Sequence, residues 1–131
     1  MSADDYSPLY LQGIEHFNVC DFYESHEVWE ELWKDYQGPS RKFYQGLIQV
    51  AVALHHFGNG NIRGARKLYH SSRAYLDSYR PWHMGLDLEA FLGQFERCFA
   101  DVTASQEEFP KLEIDPELIP EIHLAPVPPG T

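Results

Sequence analysis

The sequence predicts an all-α fold: a single-domain bundle of about five helices, followed by an irregular, proline-rich, acidic tail. Three observations carry this reading. Apolar residues recur at three- and four-residue spacings between about Ser7 and Ala104, and nowhere does a period of two persist strongly enough to mark a sheet. Residues suited to capping a helix, Ser7, Asp21, Ser40 and Asp87, stand at the heads of the periodic stretches. Beyond residue 105 the prolines at 110, 116, 120, 126, 128 and 129 forbid a long helix. Residues 1–104 therefore form the bundle. Residues 105–131 form an extended tail that lays Phe109, Leu112, Ile114, Leu118, Ile119 and Ile122 along a groove of the bundle or on a neighbouring subunit.

The first helix runs from Ser7 to about Val19, with Pro8 at its first position, where the missing N–H costs nothing. Leu9, Gly13, His16 and Cys20 share one stripe of it. The second starts at Asp21, with Glu24 completing a capping box, and ends near Gln37, before "GPS". Ser40 caps the third, "RKFYQGLIQVAVALHHF", which Gly58 closes in a left-handed conformation. The fourth runs from Asn61 to Tyr79. After "RPWHMG", Asp87 caps a fifth, "LEAFLGQFERCFADVTA".

The chain of 131 residues, 44% hydrophobic, is ample for one core. Its formal net charge of −10 repels nucleic acid and anionic membranes, which excludes both as partners. No apolar run approaches the roughly 20 residues needed to span a bilayer, and "MSADDYSPLY" is not a secretory signal, so the expected location is cytoplasmic. Cys20 and Cys98 lack metal-type spacing and are expected as reduced core thiols. From Asp87 onward ten acids face only Arg97 and Lys111, whereas the fourth helix carries Arg63, Arg66, Lys67 and Arg73; a contact between the two is plausible on charge. Tyr75, Tyr79 and Trp82 form an aromatic edge suited to a homodimer.

The chemistry concentrates in "SHEVWEELW". Phe22, His26, Trp29, Trp33 and Tyr36 recur at spacings of four, three, four and three, which makes one inward stripe with His26 in its middle. Glu30, one turn on, reaches His26; Glu27 and Glu31 point more toward solvent. On the third helix Phe43, Leu47, Val50, Leu54 and Phe57 form the core face, and Gln45, Gln49 and His56 line the opposite side. Four readings follow. His26 and Glu30, with His56 or His16, could hold a divalent metal, although HEVWE is H-E-x-x-E and not the H-E-x-x-H of zinc proteases. A buried Glu30 beside His26 could move protons without metal. Trp29, Trp33, Tyr44 and Tyr69 with Gln45, Gln49 and His56 could orient a small ligand or peptide. A hydrogen-bonded polar network could simply fix helix register.

"HFNVCDFYESHEVWEELW" followed by "FYQGLIQVAVALHHFGNGNIRGARKLY" resembles a bacterial and archaeal family of small all-helical proteins catalogued as domain of unknown function 309. The family pattern is F-N-x-G-x-Y/F-Y/F-x-x-H-E-x-W-E-x-x-W, then Q-G-L-I-Q and G-x-x-x-G-A, and Cys20 stands where glycine is more frequent. The resemblance implies a helical bundle. Carried over by position, its motif residues are His26, Glu27, Trp29, Glu30, Trp33, Gln45, Gly46, Gln49, Gly60, Gly64 and Ala65. Gly46 and Gly64 are expected to permit close helix approach, and Gly60 to serve the turn between the third and fourth helices. Family members are sometimes labelled predicted metal-dependent hydrolases, a label resting on the His-Glu motif. The function expected is therefore a small-ligand or partner-binding role for a His/Glu/Gln cluster between the second and third helices. The alternative is a metal-dependent hydrolase in which His26, Glu30 and His56 hold the ion and Glu27 or Glu30 is catalytic.

Overall fold

The structure, a computed structural model, describes residues 6–128. Four helices, α1 (Pro8–Asn18), α2 (Phe22–Asp35), α3 (Arg41–Gly58) and α4 (Ile62–Asp77), run up and down through short turns, each packed on the next. A hairpin of two-residue strands, β1 (Trp82–His83) and β2 (Leu86–Asp87), leads into α5 (Leu88–Cys98) and α6 (Ala100–Ala104). An extended tail with one 3-10 turn, Pro116–Leu118, completes the described chain. The fold is all-α, with six α-helices among the described residues rather than five.

The α1–α2 and α3–α4 turns share one design. Cys20 N–H donates to Phe17 O (3.0 Å) and Asp21 N–H to His16 O (2.9 Å); Gly60 N–H donates to Phe57 O (3.1 Å) and Asn61 N–H to His56 O (2.9 Å). Both are Schellman closures, and in each the next residue, Asp21 or Asn61, caps the helix that follows. The left-handed residue is Cys20 in one (φ 64°) and Gly60 in the other (φ 80°). Gly60 thus does the work expected of Gly58, which is instead the last residue of α3. Asp21 spends its own N–H on the closure, so Glu24 does not complete a capping box.

Close approach joins α1 to α2. A Cβ on Gly13 would run into the indole of Trp29, which is fully buried; Trp29 Nε1–H donates to Tyr10 O at 3.1 Å, and the buried Ser25 hydroxyl donates to Gly13 O at 2.8 Å. The inward residues of α1 are Tyr10, Gly13, Ile14 and Phe17, not the stripe of Leu9, His16 and Cys20. Gly46 plays the Gly13 part between α3 and α4, where a Cβ would stand 2.7 Å from Leu76 Cγ; Gly64 faces only the side chain of its own cap, Asn61. The core lies inside α1, α3, α4 and α5, with Phe17 against Phe91 and Tyr69 stacked on Phe99. Phe99 also ends the predicted fifth helix early, and both Phe99 and Val102 are buried.

The hairpin turns through Met84 (φ 49°) and Gly85 (φ 80°), a type I′ pair that "WHMG" did not announce because methionine rarely takes the first such position. The Tyr10 hydroxyl donates to Met84 O at 3.1 Å and ties the hairpin to α1. Tail and bundle meet at Asn18, whose carboxamide exchanges two 2.8 Å hydrogen bonds with the backbone of buried Ile122. Leu112, Ile114 and Ile119 are half-buried, whereas Phe109 and Leu118 are exposed. The basic helix meets the acidic end mainly through backbone: Arg66 donates to Val102 O and Arg73 to Leu92 O, and only Arg63 approaches a carboxylate, Glu108 at 3.9 Å. Both cysteines are free; Cys98 is a core thiol, pushed up to about 12 by burial, but Cys20 is exposed on its turn. Within the chain Tyr79 donates to Pro39 O and Trp82 to Ala125 O.

Two stability predictions follow from these contacts. Gly13→Ala forces Trp29 off its seat and is expected to lower the unfolding free energy by about 1–3 kcal/mol in urea titrations. Cys20→Gly relieves a left-handed non-glycine residue and is expected to raise it by up to about 1 kcal/mol, the opposite sign from most glycine substitutions.

Candidate functional site

The seam between α2 and α3 gathers most of the site residues anticipated from sequence. His26 is half-buried. Its Nδ1 lies 2.8 Å from Tyr23 O, a group that can only accept, and this turns Nε2 toward Glu30 Oε2 at 3.2 Å. Glu30 itself is about half exposed (53%). Glu27 stands beside the Tyr23 hydroxyl, and hydrogen bonding to that carboxylate, with its charge, raises the phenol above its usual range. Each carboxylate is thus engaged from its own helix.

His56 does not join this pair. Its Nδ1 lies 3.3 Å from Asn61 Nδ2, at the α3–α4 turn, where burial and then the neighbouring His55 lower its pKa. His16 lies with Asp21, 3.9 Å away, at the α1–α2 turn. Among the described residues, no group of three or more His, Cys, Asp or Glu side chains is placed to hold one metal ion. The histidine that does reach the seam is His55, whose ring packs against Tyr23 at 5.6 Å while Tyr23 packs on His26 at 5.2 Å. Helical spacing places His55 in the row of Ile48 and Val52, whereas His56 lies on the line of Gln45 and Gln49.

Of the aromatic candidates, Trp29, Tyr44 and Tyr69 are core residues, and Trp29 is wholly sealed against α1. Trp33 remains at the surface of the seam. The Arg41 guanidinium lies 4.1 Å over its ring and donates to Trp33 O and Tyr36 O, closing the C-terminal end of α2. Gln45 and Gln49 share the outer, half-buried side of α3 with Ile48 and Val52. Two polar atoms here are buried and unpartnered: Trp33 Nε1, a donor, and Gln49 Oε1, an acceptor.

A second polar contact went unread in the sequence. Ser40 Oγ lies 2.8 Å from His83 Nε2 rather than capping α3, and His83 packs edge-on against Phe43 at 4.7 Å. The pairing joins the α3 N-terminus to the hairpin, and burial lowers the His83 pKa. Sequence spacing cannot pair residues 43 positions apart.

Residues 10–68 match the model of a family described as a domain of unknown function, DUF309. The chain is 38% identical over 69 residues to an uncharacterized protein of Bacillus subtilis (strain 168), YpuF, an alignment covering 51% of this chain and 40% of that protein. It is 46% identical over 46 residues to an uncharacterized protein of Aquifex aeolicus (strain VF5), covering 34% of this chain and 14% of the other. The chain spans less than half the length of either relative. Both matches carry a resemblance and no activity. Among the described residues, no helix is long and apolar enough to cross a membrane.

The two depressed histidines set a pH dependence. His56 and His83 bind protons less readily folded than unfolded, so the unfolded chain gains protons first as pH falls below the ordinary value of 6.5. Stability is expected to fall between roughly pH 7.5 and pH 5.5, and the His83→Asn variant to show a smaller fall across the same urea titrations.

Proposed function

We propose that the protein is a cytoplasmic binding module whose working surface is the outer side of α2 and α3, where Trp33, Gln45 and Gln49 contact a small ligand or a segment of a protein partner. The free state of both thiols agrees with a reducing compartment. The observation that carries the reading is the pair of buried, unpartnered polar atoms, Trp33 Nε1 and Gln49 Oε1. Leaving such an atom unpaired costs about 1–3 kcal/mol, and folded proteins keep few of them outside working sites. Ile48 and Val52 supply half-buried apolar surface around them. A metal-dependent hydrolase drawing on His26, Glu30 and His56 with Glu27 as base has less to rest on, because His56 sits with Asn61.

The test separates a binding surface from a structural network. In a structural network Gln49 is satisfied and its loss destabilises. At a binding surface Gln49→Leu removes an unpaired acceptor, so the unfolding free energy is expected to stay level or rise by about 1 kcal/mol. A fall of that size in urea denaturation would overturn the proposal.

A further inference from the structure

Three helices form one layer, with α3 between α2 and α4, and the outer side of that layer is differently charged at its two edges. Helix α2 carries five carboxylates against Lys34, a net −4, and α4 carries four bases against Asp77, a net +3. Glu27 and Glu30 are exposed at one edge, Arg63 and Lys67 at the other. Lys67 makes no ion pair among the described residues, and the Arg63 contact with Glu108 is a long one between side chains more than 60% exposed. Between the edges runs the α3 strip of Gln45, Ile48, Gln49 and Val52, all half-buried. On the inner side the α5 rings and the tail cover α1, α3 and α4 through Phe17, Phe57, Tyr69 and Asn18.

We infer that the occupant of this face is a second copy of the same chain, an inference that rests on the binding surface proposed above. Two face-to-face arrangements have two-fold symmetry. With the axis across the helices, α2 lies on its own symmetry mate and α4 on its own, so like charges meet at both edges. With the axis along α3, the two α3 helices lie side by side in parallel and α2 of each copy covers α4 of the other. Acidic α2 then faces basic α4 twice, once at each edge, with Glu27 and Lys67 the named residues closest in height, and the charge pattern selects this arrangement. At 1.5 Å per residue α2, α3 and α4 are about 21, 27 and 24 Å long, and at about 9 Å spacing they offer roughly 650 Å² per copy, somewhat under the ~800 Å² of a standard interface.

Sedimentation velocity on the full chain over roughly 1–300 µM tests this, with circular dichroism to confirm that each variant folds. Wild type is expected to dimerise, less tightly at high salt. Arg63→Glu with Lys67→Glu makes both edges acidic, and Glu27→Lys with Glu30→Lys makes both basic; each double variant alone is expected to associate at least tenfold more weakly. An equimolar mixture of the two is expected to recover the dimer. A wild type that stays monomeric, charge reversals that leave association unchanged, or a mixture that stays monomeric would each overturn the inference. None of those results bears on the binding surface itself, which the Gln49→Leu stability measurement decides separately.

Discussion

The structure depends on one contact: the Trp29 indole lying flat against the backbone of α1 at Gly13. Because the residue opposite has no side chain, the largest side chain of α2 is wholly buried between two helices, its N–H satisfied by Tyr10 O and the neighbouring Ser25 hydroxyl by Gly13 O. The Tyr10 hydroxyl extends this arrangement to the hairpin through Met84 O, and Phe17 carries it to α5. Rotating α2 by one residue would expose the indole and orphan its donor. The orientation of every other side chain on α2 follows from this seat, including those of His26, Glu30 and Trp33.

That orientation explains the character of the seam. With Trp29 committed to α1, the stripe through His26 and Trp33 is turned to the boundary between α2 and α3, where it is half-buried rather than central. A half-buried histidine can take its partners from its own helix, and His26 does, from Tyr23 O and Glu30. The Gln49 oxygen, by contrast, is buried and finds no partner. The two unsatisfied polar atoms lie on the part of the fold that also separates an acidic helix from a basic one.

The turns show the same economy. One Schellman design serves twice, with a left-handed residue ending one helix and the next residue capping the following one. A glycine would take the left-handed conformation of Cys20 without strain. Cys20 holds the same geometry at a conformational cost and leaves its thiol in solvent.

Helix existence and order were legible in the sequence because both rest on local rules. Spacing, capping residues and proline breaks located α1 to α4 within a few residues and marked the tail as non-helical. The family resemblance was legible too, in a motif whose Trp29 and Gly46 prove to be packing devices and whose Gly60 turns the chain. Local rules could not tell which side of α1 faces inward, since Leu9 and Tyr10 are both apolar and only the Gly13–Trp29 approach chooses between them. They could not foresee the break at Phe99, the hairpin at Met84, or the pairing of Ser40 with His83, each decided by a partner far along the chain. For the same reason the sequence by itself determined the inventory of the candidate site, two carboxylates, histidines and glutamines on two adjacent helices. Tertiary structure alone decided its membership: helix packing placed His55 and not His56 beside Tyr23 and His26, and buried the Gln49 oxygen without a partner.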